Sequence, residues 1–158
     1  RINSRWQALK KSLLFQIQVV RVEGHQLRAR SALAMLAAKA GYDRKEQLAV
    51  AEHDARVIER QKMPWSNPIY QLIKAGIAAI NNQPEQAIDF LKKAAENSDA
   101  ADMALYAAIA RRRLGQLLGG DEGNQLVHSV DEWMSAQGIK RPDRITAVLA
   151  PGFEHIIP

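Results

Sequence analysis

A chain of 158 residues, 47% apolar and 25% charged, is long enough to bury a core unaided and too apolar for disorder, and its lack of cysteine excludes a disulfide framework and thiolate chemistry. The net charge of +5 raises nucleic acid as a partner, but Lys10-Lys11, Arg28 and Arg30, Lys92-Lys93 and Arg111 to Arg113 are scattered and interleaved with acids, which argues against it. Apolar runs such as Ser31 to Ala38 fall far short of the roughly 20 residues of a membrane span, and the opening Arg1-Ile2-Asn3-Ser4-Arg5 lacks a signal-peptide pattern, so a cytoplasmic fragment of a longer chain is expected.

Helix formers dominate and strand alternation is nearly missing. From Ser4 to about Arg21, Trp6, Leu9, Leu13, Ile17 and Val20 recur at helical steps. Gly24 then interrupts, and Leu27, Ser31, Ala34, Met35 and Ala38 continue to Gly41. Gly24 is either a turn or a weak spot in one long helix, since a single glycine costs a helix only about 1 kcal/mol. Asp43 with Glu46 forms a capping pair for a third segment that stops before Met63-Pro64. Pro64 to Pro68 is a turn, with Pro68 suited to a first helical position. Leu72, Ile73, Ile77 and Ile80 give the next helix a wide apolar stripe, ended by Asn81-Asn82-Gln83. Pro84 opens another helix, and Lys92-Lys93 suit its final turns. Ser98 or Asp99 is expected to cap Ala101 to about Leu118, and Asp121 to cap the helix that Gly138 stops. Pro142 starts a short last helix closed by Pro151-Gly152, and the tail to Pro158 is either a packed strap or a frayed end.

These elements predict an all-α fold, an α-α superhelix of seven or eight antiparallel helices. Its hairpins cover about 24–62, 66–98 and 101–138, followed by a helix and tail over 142–158. The starts near Pro68 and Ala101 lie about one 34-residue period apart.

Within that period Ala75 and Ala78, Asn82 in the turn, and Ala87, Leu91 and Ala94 stand where two helix backbones must approach closely, so the unit resembles a tetratricopeptide repeat. Gln71, Asp99 and Ile109 depart from its pattern. A second resemblance spans roughly Met63 to Phe153. It rests on Met63-Pro64-Trp65, the run Ala101 to Gly115, Leu118 to Gly123, Trp133-Met134, Gln137-Gly138-Ile139 and Leu149 to Phe153. These segments look like the tetratricopeptide-like C-terminal region of large bacterial eukaryotic-like serine/threonine kinases. The kinase's Gly-rich loop, strand lysine, His-Arg-Asp and Asp-Phe-Gly motifs are absent from this chain. The resemblance therefore implies a recruiting or regulatory module of a signalling protein rather than phosphoryl transfer.

Other constellations have simpler structural readings. Gly119-Gly120-Asp121-Glu122 resembles the diguanylate cyclase signature, but Gly123 replaces its Phe and helices flank it, so it reads as a helix stop and cap. His25, His53, His128 and His155 are unpaired at helical or turn spacing, and no metal or cofactor is expected. Glu52 and Asp54 face different ways on a helix, as do Asp131 and Glu132, and no Gly-x-Ser-x-Gly elbow supports a nucleophile. No catalytic residue is expected. Trp6, Trp65 and Trp133 read as core or hinge aromatics. Arg111 to Arg113 sweep around most of a helix, so they cannot all face one groove.

By analogy with solenoids that line a concave face with first-helix side chains, Arg28, Lys39, Tyr106 and Arg113 are the candidate contacts for an acidic peptide. The same face of the middle hairpin reads Ile69, Leu72, Ile73, Ala79 and Ile80, which suits packing. The expected partner is thus a protein or peptide, or other domains of the parent chain. The alternative is a sensor that takes a small ligand in an inter-helical pocket beneath Leu72, Ile73 and Ile77.

Overall fold

The computed structural model describes residues 2–38, 41, 43–154 and 156–157. Eight α-helices run through them: α1 (Ile2–Lys11), α2 (Gln18–Ala37), α3 (Arg44–Glu59), α4 (Ser66–Ile80), α5 (Pro84–Ala100), α6 (Ala104–Leu118), α7 (Gly120–Ala136) and α8 (Pro142–Leu149). A single 3-10 turn, Leu13–Gln16, joins α1 to α2, and no strand occurs among the described residues.

Turn chemistry sets where the chain reverses. Asp43 caps α3 by accepting from the backbone N–H of Lys45 at 2.8 Å and of Glu46 at 3.3 Å. Three later helices stop in one shared way. Asn82, Asp102 and Gly138 adopt left-handed backbone conformations just past α4, α5 and α7. The next N–H in each case returns to the helix: Gln83 to the Ala78 carbonyl, Met103 to Ser98 and Ile139 to Met134, at 2.8 to 3.0 Å. This closure satisfies terminal carbonyls and turns the chain within two or three residues, so each following helix folds back along its predecessor. Pro84 and Pro142 then supply first residues whose missing N–H costs nothing.

Small residues decide how closely the helices approach. Ala75, Ala78, Ala79, Ala87 and Ala94 are all buried between α4 and α5, where larger side chains would hold the backbones apart. One apolar cluster joins α4 to α8 and includes Leu91, Ile109, Met134 and Phe153. The other joins α2, α3 and α4 through Val22, Leu33, Ile58, Ile69 and Ile73. Each helix from α2 to α7 packs chiefly on its sequence neighbours. Packing between non-consecutive helices runs α2 to α4, α4 to α6, α6 to α8 and α8 back to α2. The chain is therefore an α-α superhelix with α2, α4, α6 and α8 along its inner side.

Several boundaries differ from those the sequence suggests. The break in the N-terminal segment falls at residues 12–17, while α2 passes straight through Gly24, so the first hairpin begins near Gln18. Pro68 is the third residue of α4, not the first. Ser98 and Asp99 do not cap α6, because α5 continues to Ala100; α6 starts without a side-chain cap, and Ser98 is fully buried. Asp121 lies inside the first turn of α7 rather than capping it. The tail packs: Ala150, Pro151, Gly152 and Phe153 are all buried. Among the described residues, no helix is long and apolar enough to cross a membrane.

Candidate functional site

The inner face is built on Gly76 in α4. A Cβ at this position would lie 2.7 Å from the Pro151 carbonyl oxygen and 2.9 Å from Leu33 Cδ1, closer than real side chains approach. Glycine is what lets the segment after α8 lie directly on the α4 backbone. Gly152 answers it from the other side: its own Cβ would meet the Gly76 carbonyl at 3.0 Å, and its φ of +104° disfavours any other residue.

Arg113, on α6, fastens the same segment. Its Nε donates to the Ala150 carbonyl at 2.9 Å, its guanidinium carbon lies 4.9 Å from the centre of the Phe153 ring, and Glu154 stands 3.8 Å away. Burial draws the Arg113 pKa down to about 10, with Glu154 opposing that shift and Arg112 adding to it, so the guanidinium stays charged at neutral pH. Residues 150–154 thus form a strap along the inner side, with its aromatic in the core and its acid half-exposed. On the same helix as Arg113, the Tyr106 hydroxyl accepts from Gln26 Nε2 of α2 at 3.0 Å. Gln26 Oε1 and, one turn on, Arg30 Nε and Nη1 are buried without a hydrogen-bond partner among the described residues.

A second polar group ties α2 to α3. Asp54 is fully buried and receives His25 Nδ1 at 2.6 Å, Arg28 Nε at 2.6 Å and Arg28 Nη2. The Arg28 guanidinium also lies 3.8 Å from the centre of the Trp6 ring, and His25 meets that ring edge-on at 5.1 Å. Excluded from water, the carboxylate is satisfied by two side chains that cannot move without leaving it unpaired. His53 lies beside this group, 6.2 Å from His25, and loss of water lowers its pKa from 6.5, with Asp54 opposing and Arg28, His25 and Lys10 assisting. Outside it, Lys10, Lys11, Ser12, Phe15, Gln16, Arg21 and His25 line an open recess of about 620 Å³.

The four candidate contacts therefore have different surroundings. Arg113 and Tyr106 lie on the inner side, but Arg113 is buried and engaged by the strap. Arg28 is committed to Asp54 at the N-terminal end. Lys39 lies outside the described residues, as does His155. Arg111, Arg112 and Arg113 point three ways: to Asp99 on α5, to Asp131 on α7 at 2.7 Å, and to the strap. Leu72, Ile73 and Ile77 lie within the two apolar clusters, which counts against a ligand cavity beneath them. Trp6 is buried and Trp65 packs on the second cluster, whereas Trp133 stays 38% exposed beside a recess of about 290 Å³ that includes Arg111.

Sequence reasoning missed Gly76 and Asp54. An isolated glycine inside a strongly apolar helix was the available signal for the first, since such a residue usually has a packing reason. Nothing local marks Asp54, because its partners lie 26 and 29 residues away on another helix. No family model, curated protein or solved structure matches the chain.

Proposed function

We propose that the chain is a non-catalytic docking module of a bacterial signalling protein, one that holds a short segment of a partner protein on its inner face. The observation that carries this reading is the strap itself. The inner face accommodates a non-helical stretch of polypeptide using a glycine floor, a guanidinium that grips a backbone carbonyl and an apolar seat for an aromatic ring. These groups recognise backbone and general side-chain chemistry, as peptide-binding grooves do. The likeness of Met63 to Phe153 to the C-terminal region of eukaryotic-like kinases supports a role in recruitment or regulation within a longer chain.

Charge reversal at Arg28 or Arg113 would test folding rather than docking, because both are structural. The better test places a photo-cross-linking phenylalanine analogue at Tyr106 on the inner side and, separately, at exposed Lys93 on α5. Each is exposed to nuclease-treated lysate at two salt concentrations. A protein trapped at 106 and not at 93, at both salts, is expected. Trapping at 93 alone, or nothing at either position, would overturn the reading.

A second reading, a sensor for a small anionic ligand, is favoured by the recess lined by Lys10, Lys11, Arg21 and His25, with no carboxylate among its described lining residues. A thermal-shift series with inorganic phosphate and simple phosphate esters tests it, and unchanged melting throughout would remove it.

A further inference from the structure

The strap occupies the face that a partner would need, and this has a consequence for what the partner looks like. We propose that residues 150–154 are a built-in ligand of the groove between α2, α4 and α6. Docking then proceeds by exchange, with an incoming segment of the same chemistry, a glycine followed by an aromatic residue and an acid, replacing the strap. This inference rests on the docking reading and specifies its partner.

Each contact of the strap is one that a segment from another chain could make, provided a glycine takes the place of Gly152. The Pro151 carbonyl lies over Gly76, a backbone contact that any residue able to reach it can supply. Arg113 Nε takes the Ala150 carbonyl, again a backbone group. The selective contacts are two: the apolar seat of Phe153, fully buried, and the charge of Arg113 facing Glu154 at 3.8 Å. The strap contains no helix or strand, and the core packing of Phe153, the Arg113 grip and the Gly76 contact hold it rather than a ladder of backbone hydrogen bonds to the helices. Such a segment can open without unfolding the helices that seat it.

While the strap is seated, the fraction of molecules with an open groove reduces the affinity seen by any competitor. Weakening the strap should therefore strengthen binding in trans. The probe is a fluorescein-labelled peptide with the sequence of residues 149–158, read by anisotropy against the full chain. Wild type is expected to bind it weakly and Phe153→Ala at least about tenfold more tightly. Gly76→Val in the Phe153→Ala background should abolish binding by filling the groove floor. Because Phe153→Ala removes core, Glu154→Lys provides a milder route: it turns an exposed attraction to Arg113 into repulsion and should also raise peptide affinity. Hydrogen exchange on wild type gives an independent reading, with residues 150–154 expected to exchange faster than α4 and α6.

Equal affinity for wild type and both strap variants, or binding that survives Gly76→Val, would overturn the proposal. So would a strap that exchanges only on global unfolding. A concentration-dependent dimer in which two copies trade straps would also overturn it, by making a second copy the occupant. If the peptide fails to bind while a partner is trapped at 106, the exchange inference falls and the docking reading stands. If the peptide binds and no partner is trapped, the docking reading falls, while the exchangeable groove is upheld.

Discussion

Gly115 of α6 and Gly123 of α7 set how close these two helices lie, and replacing either tests that packing quantitatively. A Cβ on Gly115 would stand 2.7 Å from the Gly123 carbonyl oxygen, 2.9 Å from Val127 Cγ2 and 3.2 Å from the Val127 nitrogen. The first of these is about 0.7 Å inside an ordinary contact of 3.4 Å, and its partner is backbone, which cannot swing aside. The helices must separate, and Arg112–Asp131 and the apolar contacts of Val130 and Met134 separate with them. Against this, Ala in place of Gly favours a helix interior by about 1 kcal/mol. Overpacking of a core contact costs about 1–3 kcal/mol and here has the rigid partner that places it in the upper part of that range. Gly115→Ala should therefore destabilise by about 1–2 kcal/mol, lowering Tm by roughly 3–6 °C for a chain of this size. Gly123→Ala should destabilise more, since its Cβ would stand 2.3 Å from the Gly115 carbonyl oxygen. The double variant should lose less than the two singles combined, because one separation of the helices accommodates both methyls. Calorimetry or a urea titration on all four proteins reads this directly. A rise in Tm for Gly115→Ala, or strict additivity in the double variant, would refute the close α6–α7 contact.

Asp54→Ala should cost about 3–5 kcal/mol by stranding His25 and Arg28, while Asp99→Ala, which frees only the half-exposed Arg111, should cost less than about 1 kcal/mol; paired urea melts compare them. His53 has a folded pKa below its ordinary 6.5, so the unfolded chain takes up its proton first and stability falls as pH drops through about 6.5. His53→Gln should lose less stability than wild type between about pH 7 and 5, measured as the shift in urea midpoint, and parallel profiles would refute the assignment. Ala75→Leu or Ala87→Leu, at fully buried positions of the α4–α5 contact, should destabilise by about 1–3 kcal/mol, and unchanged melting of both would show that the register is wrong.

Much of the fold was legible because its causes are local. The apolar stripe of α4, the Asp43 cap, the proline starts of α5 and α8 and the stop at Gly138 each depend on a few consecutive residues, so composition and spacing suffice to place them. Short turns then oblige neighbouring helices to pair, which is why the α-α architecture follows from the same reading. Errors fell where a longer-range contact outweighed a local preference. Gly24 is carried through α2 by the packing of Val22, Ala29 and Leu33 on α3 and α4. Ser98 looks like a cap and is instead buried at the end of a helix that runs two residues further.

The candidate site was less legible. First-helix position alone nominated Arg28, Tyr106 and Arg113, and it correctly put them on α2 and α6. What each side chain does depends on partners from α3, from α2 and from the strap, and such registers have no local signature. By itself the sequence determined the helices, their order and their pairing, because those depend on hydrophobic period and turn chemistry. Only the tertiary structure decided that Asp54 would be buried between an imidazole and a guanidinium and that the tail would lie on Gly76. Both are the outcome of how α2, α4 and α6 converge, bringing residues distant in the chain within a few ångströms of one another.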